Sequence, residues 1–258
     1  MRQYVVDAFT KDVFHGNPAA VCVMESWLPD SIMQSIAVEN SLSETAFVVK
    51  EDGRYHIRWF TPGKEVDLCG HATLGSSYVL SRFYDPEAET LVFSSLSGEL
   101  RVRRNGDLFE MDFPSRMPEP VSFTEQMRQA IGGLDAEAFL DRDLMLVLDD
   151  ERLVREFQPD YTAIAAVEEG MGLFITAPSG EYDFVSRTFF PKIRVSEDPV
   201  CGSAHCNLIP YWSGRLQKNV MKAYQASPRG GIVYCENRGG RVLISGNAVL
   251  YSEAEIHI

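Results

Sequence analysis

Short apolar runs broken by turn signals dominate the chain and predict a protein built mainly of strands. Residues 2–9 and 19–24 read as strands, joined by a loop from Lys11 to Pro18 in which His15-Gly16-Asn17-Pro18 is a turn signal. The spacing then changes. Asp30 is expected to cap a helix to about Glu39, with Ile32, Met33, Ile36 and Ala37 on one face. Strands are expected from Glu44 to Val49 and from Tyr55 to Phe60, and again at 90–95, 99–103 and 107–113, the last three separated by Ser-Gly and Asn-Gly turns. Beyond a proline-rich link, Pro114 to Pro120, the order recurs: a helical run from Tyr161 to Val167, strands at Leu173–Thr176 and Asp183–Phe190, then strands near 220–225, 231–235 and 241–251.

Two stretches stand apart because small residues replace the alternation. Asp67 to Leu80 reads D-L-C-G-H-A-T-L-G-S-S-Y-V-L, and Glu197 to Cys206 reads E-D-P-V-C-G-S-A-H-C. Each places a Cys-Gly pair at the start of a predicted helix. His71 to Leu80 is small or apolar around nearly its whole circumference, as a helix enclosed by a curved sheet requires. In the second helix, Ala204, Leu208, Tyr211 and Trp212 share a face, and Pro210 removes the hydrogen bond to the Cys206 carbonyl, so a bend is expected there. The free N–H groups and positive dipole end of each helix suit an anion, and bias a thiol at Cys69 or Cys201 toward thiolate. Matched features lie about 130 residues apart, too long a period for a solenoid. A duplicated domain follows. The expected units are 1–117, joined by a C-terminal strand from about 248 to 258, and 118–247.

Composition narrows the function. With 258 residues, 45% hydrophobic and 24% charged, the chain has the make-up of a soluble globular protein. A formal net charge of −13, spread along the chain, argues against nucleic acid or an anionic membrane surface as partner, but leaves room for a small anionic substrate. No apolar run is long enough to span a bilayer, and no export signal precedes the first strand. Five cysteines, an odd number, point to a reduced cytoplasmic setting. None has zinc-ligand spacing, so no metal is expected.

Four ordered motifs carry a resemblance: Asp7-Ala8-Phe9 with Gly16-Asn17-Pro18-Ala19-Ala20-Val21, Ser43-Glu44-Thr45-Ala46-Phe47, Cys69-Gly70-His71-Ala72-Thr73, and Glu197-Asp198-Pro199 with Gly202-Ser203-Ala204. Over nearly its whole length the chain resembles the phenazine-biosynthesis PhzF-like family. That resemblance implies an α+β fold of the diaminopimelate epimerase type: two similar domains, each a β-barrel wrapped round a central helix, with the active site in the interdomain cleft. It also implies an isomerase without metal or organic cofactor, in which Glu44 moves a proton on a small carboxylate metabolite. His71 and Asp198 are the implied supporting groups, and Asn17, Gly70, Gly202 and Ser203 the implied substrate-binding positions. A homodimer is a candidate assembly.

One position departs from the phenazine enzyme. Cys201 stands where a non-thiol residue is expected and, with Cys69, restores the paired Cys-Gly pattern of the epimerases and proline racemases. The alternative reading is therefore a two-cysteine epimerase or racemase of an amino or hydroxy acid, its thiols facing each other across the substrate. A non-catalytic small-acid-binding protein is the third. A carboxyl in a partly apolar setting has its pKa raised toward neutrality, which suits Glu44 to accept and return a proton.

Overall fold

The runs of β-branched and aromatic residues do form strands, and the small-residue stretches form the two principal helices. The computed structural model describes residues Met1–Ile258. In chain order the first elements are β1 (Arg2–Ala8), β2 (Asn17–Met24), α1 (Asp30–Asn40), β3 (Thr45–Glu51), β4 (Arg54–Phe60), β5 (Glu65–Val66), α2 (Gly70–Val79), β6 (Thr90–Ser95), β7 (Gly98–Asn105) and β8 (Leu108–Pro114). There follow β9 (Glu119–Val121), α3 (Glu125–Ala130), β10 (Glu137–Leu140), β11 (Leu144–Val147), α4 (Glu151–Arg155), α5 (Tyr161–Ala166), β12 (Leu173–Pro178), β13 (Phe184–Phe190) and β14 (Val195–Asp198). The chain closes with α6 (Gly202–Leu216), β15 (Val220–Gln225), β16 (Gly231–Asn237), β17 (Arg241–Gly246) and β18 (Ala248–Glu255). Two compact units result: Met1–Asp112 with Ser245–Ile258, and Phe113–Ile244.

Strand pairing shows that the two units share one topology. In unit 1, β18, β1 and β2 pair antiparallel in succession, β2 and β3 parallel, β3 and β4 antiparallel, β4 and β6 parallel, and β6 and β7 antiparallel. Unit 2 repeats the same alternation of senses through β9, β10, β11, β12, β13, β15 and β16. The short strands β5 and β14 flank β4 and β13 in the same antiparallel way, and α2 and α6 follow them. Both parallel pairs in each unit are joined by a crossover, as parallel pairing requires.

α1 shows what holds an element without a good cap. Its N-cap is Pro29, which offers no side-chain acceptor, and Asp30 lies inside the first turn rather than capping it. The Asp30 carboxylate is taken instead by the Arg58 guanidinium at 2.9 Å. A missing cap costs about 1 kcal/mol. Burying a side chain such as Met33 or Ile36 gains about 1.5–3 kcal/mol, and both are buried against Cys22, Phe47 and Phe60. Packing wins.

α2 is buried on almost every side although it carries three serine and threonine hydroxyls. Thr73, Ser76 and Ser77 each donate back to the carbonyl four residues earlier, at 2.5, 2.7 and 2.8 Å, so no hydroxyl among them is desolvated without a partner. Gly75 lets the helix backbone approach β1 and β2: a Cβ there would already touch Val6, Ala19 and Val21 at 3.6–3.8 Å. α6 is anchored differently. Trp212 stacks on Phe184 with ring centroids 5.6 Å apart and donates its indole N–H to Thr176 Oγ1 at 3.0 Å.

Pro210 lies inside α6, which runs unbroken from Gly202 to Leu216. The Cys206 carbonyl that proline leaves free accepts the Arg116 backbone N–H at 2.9 Å. Thus the missing helix bond becomes the dock for the segment that enters unit 2. The single strand expected over 241–251 is two strands, β17 and β18, broken at Asn247. There the Asn247 carbonyl accepts Phe9 N–H at 2.7 Å and its side-chain amide donates to the Asp107 carbonyl at 2.9 Å. The boundary between the units falls shortly before this break, between Ile244 and Ser245 within β17.

Candidate active site

In unit 1, three expected residues come together. Glu44 immediately precedes β3, whose parallel pairing beside β2 fixes where its side chain starts, and His71 is the second residue of α2. Glu44 Oε2 lies 3.2 Å from His71 Nε2, with both side chains largely buried. Cys69 occupies the N-cap of α2 in extended conformation (φ −146°, ψ 112°), and its Sγ lies 3.5 Å from His71 Nδ1 and 3.9 Å from Nε2. Ser43 Oγ, which had no place among the expected site residues, stands 3.5 Å from His71 Nε2. It opens the Ser43–Phe47 motif next to Glu44, the signal that could have found it.

Burial raises the pKa of Glu44, and hydrogen bonds from Ser43 and Cys69 oppose that rise only in part. The carboxyl therefore holds its proton more tightly than a solvated glutamate does. Asn17 is buried at the first position of β2, the strand beside β3. Gly70 opens α2, and the amides of a helix's first turn have no partner within the helix. One ligand atom each from the glutamate, thiol and imidazole lies within 4.8 Å of the others, but the sulfur stands nearer Nδ1 than Nε2 of the ring, beside it rather than on the lone pair that faces Glu44.

Unit 2 brings together a different set. Cys201 is the extended N-cap of α6 (φ −99°, ψ 106°), its Sγ 3.3 Å from Ser203 Oγ and its backbone N–H held by Gln225 Oε1 at 2.8 Å. The Gln225 amide donates in turn to the Asp198 carbonyl at 2.6 Å, fixing the Asp198–Cys201 turn. Arg142 donates to Ser203 Oγ at 3.1 Å and to Asp143 Oδ2 at 2.8 Å. Neither Gln225 nor Arg142 carries a sequence signal; only the fold brings them to the helix start. Gly202 is the first helical residue and partly exposed.

The expected thiolate at Cys201 is not supported. Burial pushes its pKa well above that of an ordinary thiol, and the nearby negative charge of Asp198 adds to the rise; the Ser203 hydroxyl and the Ala204 amide oppose both without prevailing. A dipole of about half a charge at a helix start does not offset full desolvation of a thiolate. His205, given no function from sequence, is fully buried and pushed down to about 4, so it is neutral, with Nδ1–H donating to the Cys201 carbonyl at 2.7 Å. All five cysteines are free thiols.

A duplicated mixed α and β protein, with a Cys-Gly helix start in each unit and a buried Glu-His pair beside the first, is the class these features define. A profile of the phenazine biosynthesis-like protein family matches residues 6–254, and the chain belongs to that family. It is 48% identical over 255 residues to an uncharacterized isomerase of Pseudomonas aeruginosa, covering 99% of this chain and 98% of that one. Its structure is similar to the crystal structure of a PhzF-family phenazine biosynthesis protein from Enterococcus faecalis, with TM-score 0.98, 51% identity, and coverage of 100% and 99%. A probable proline racemase from Agrobacterium radiobacter shares the fold at TM-score 0.64 and 9% identity, over 100% of this chain and 93% of that one. No helix is long and apolar enough to cross a membrane.

Proposed function

We propose that the protein is a cofactor-independent isomerase that moves a proton on a small carboxylate metabolite, with Glu44 as the general acid and base. The observation that carries this is the buried Glu44 carboxyl, its pKa raised by desolvation, 3.2 Å from His71 Nε2. A raised carboxyl accepts a proton from carbon and still returns it near neutral pH, because its affinity lies closer to the working pH than that of a solvated glutamate. In the forward step the C–H bond breaks, the proton goes to Glu44 and the electron pair spreads into the conjugated acid. Glu44 then protonates a different carbon. His71 orients Glu44 and polarises the substrate. Isomerase relatives of the same length support this reading over a purely binding role.

The two-thiol alternative needs a thiolate at Cys201 in one direction of its cycle. The raised pKa there counts against it. In the same proposal each unit is a barrel closed round its helix, which the all-round burial of α2 and the racemase-like fold support. The reading is tested by screening small carboxylic acids by thermal shift, then following turnover of any stabilising acid in deuterated water. Single-base transfer retains part of the substrate's own hydrogen in the product. Full solvent deuterium at an inverted carbon, with Glu44→Gln as active as the wild type, would establish the two-thiol mechanism instead.

A further inference from the structure

We propose that Arg142, with Ser203, is the group of unit 2 that recognises the carboxylate of the substrate. Only the substrate class, a small carboxylate, rests on the function proposed above. The strand registers show which residues of the two units correspond. Ala20 N–H donates to the Glu44 carbonyl at 3.4 Å beside the register pair Ala20–Thr45, and Leu144 N–H donates to the Gly172 carbonyl at 2.9 Å beside the pair Leu144–Leu173. Glu44 and Gly172 are therefore counterparts, and so, two residues before Ala20 and Leu144, are Pro18 and Arg142. Likewise His71 and Ser203 each stand two residues after the N-cap cysteine of their helix. Where unit 1 carries a carboxyl, unit 2 carries no side chain, and a Cβ at Gly172 would overlap the buried Phe190 ring. Where unit 1 carries proline, unit 2 carries a guanidinium, and Arg142 Nη2 donates to Ser203 Oγ at 3.1 Å. The Glu44–His71 pair of one unit is thus answered by an Arg142–Ser203 pair in the other, with the charge reversed.

The hydrogen bonds leave this pair with donors to spare. Asp143, only 1% exposed, accepts Arg142 Nε and Nη2 on Oδ2 at 3.0 and 2.8 Å, and its Oδ1 accepts the Gly172 N–H at 2.9 Å. The guanidinium is thereby oriented along one edge, with Nη1 left without an acceptor in the protein and the side chain 43% exposed. A guanidinium cannot accept, so Ser203 Oγ accepts from it and keeps its own hydrogen to donate. Cys201 Sγ, 3.3 Å away, is a weak competitor for that hydrogen. Nη1–H and Oγ–H together offer donors alone, which suits the two oxygens of a carboxylate and excludes an ammonium group. The surrounding charge agrees. Arg116, Arg142 and Arg241 all act on the Cys206 thiol in α6, against Asp141, whose carboxylate is taken by the Asn207 amide at 3.1 Å. In a chain of net charge −13 this is a local concentration of positive charge.

The test titrates the full-length protein with benzoate, and with benzamide as its neutral counterpart, by calorimetry. Benzoate is expected to bind the wild type at least about 10-fold more tightly than benzamide, the worth of hydrogen bonds to a charged acceptor. Arg142→Gln combined with Asp143→Asn, which leaves no buried carboxylate unpaired, should weaken benzoate roughly 10–100-fold. Arg142→Lys keeps the charge without the fork and should fall between. Arg215→Gln removes a guanidinium of similar exposure and should change nothing. Wild-type crystals soaked in 4-bromobenzoate decide the matter even if a variant fails to fold: bromine's anomalous signal should place a carboxylate oxygen about 3 Å from Arg142 Nη1. No benzoate binding to the wild type, equal affinity for benzamide, full affinity in the folded double variant, or a carboxylate held away from Arg142 overturns the assignment. Undiminished benzoate binding in the double variant, beside loss of turnover in Glu44→Gln, would refute recognition by Arg142 and leave the proton-transfer reading standing. Arg142-dependent benzoate binding beside normal turnover in Glu44→Gln would do the reverse.

Discussion

The starts of α2 and α6 have the same local construction and opposite chemistry. Both place a cysteine at the N-cap in extended conformation, without a side-chain cap, followed by glycine as the first helical residue. At α2 the neighbours are Glu44, His71 and Ser43; at α6 they are Ser203, Arg142 and Asp198. Desolvation acts on both acids it reaches, with different results. It lifts the Glu44 carboxyl from well below neutral toward the range where protons exchange, and it lifts the Cys201 thiol, already above neutral, out of it. The same physical force moves one group toward neutrality and the other away from it, because their unperturbed pKa values lie on opposite sides of neutrality.

The largest expected effect concerns how the two helices are held. Trp212→Ala removes a fully buried ring and its hydrogen bond to Thr176, and should cost about 3–5 kcal/mol in denaturant unfolding. Ser76→Ala in α2 should cost only about 0.5–1.5 kcal/mol, the worth of one ordinary hydrogen bond. Equal losses would mean that the helices are anchored alike.

Activity gives the next contrast. On a true substrate, Glu44→Gln should lower kcat by at least about 10²-fold, as loss of a general acid–base group does, whereas Cys201→Ser should cost much less. Inactive Cys69→Ala and Cys201→Ala beside a nearly normal Glu44→Gln would reverse the assignment of roles.

Stability against pH probes the Glu44 environment without any substrate. The folded-state pKa of Glu44 lies above its unfolded value, so its protonated form favours the folded state. That contribution is complete below the unfolded pKa and is lost as pH rises through the folded pKa. Glu44→Gln cannot ionise. Its Tm relative to wild type should therefore climb between acid and neutral pH; a gap that stays constant would show Glu44 to be ordinarily solvated. The smallest effect is a null one. Native Cys201 should resist iodoacetamide near neutral pH, as peptide mass spectrometry after brief labelling can show, because the attacking species is the thiolate that burial suppresses. Rapid labelling of Cys201 would restore the two-thiol reading.

Several features were legible because they depend on neighbours in sequence. The Cys-Gly helix starts, most strands of unit 1 and the register of the repeat follow from turn residues and apolar runs; β4 and β13, for example, span 54–60 and 184–190. The start of unit 2 was not legible. β11 is a short run buried along its whole length, which periodicity cannot tell from a piece of buried helix, and α4 is a five-residue helix capped by Asp150; only α5, where a helical run from Tyr161 was expected, was legible there. Likewise Asp30 has the composition of a cap, yet Arg58 claims its carboxylate from another strand.

Sequence by itself determined that two helices would begin with a thiol, that Pro210 would free a carbonyl, and that Glu44 and His71 were the residues to watch. Only the tertiary structure decided what those groups meet. It brought His71 to 3.2 Å from Glu44, gave the freed Cys206 carbonyl to Arg116, and buried Cys201 beside Asp198. The reason is physical. Helix starts and proline effects are set by dihedral angles and bonds within a few residues, whereas a pKa depends on solvent exclusion and charges from segments far away in the chain.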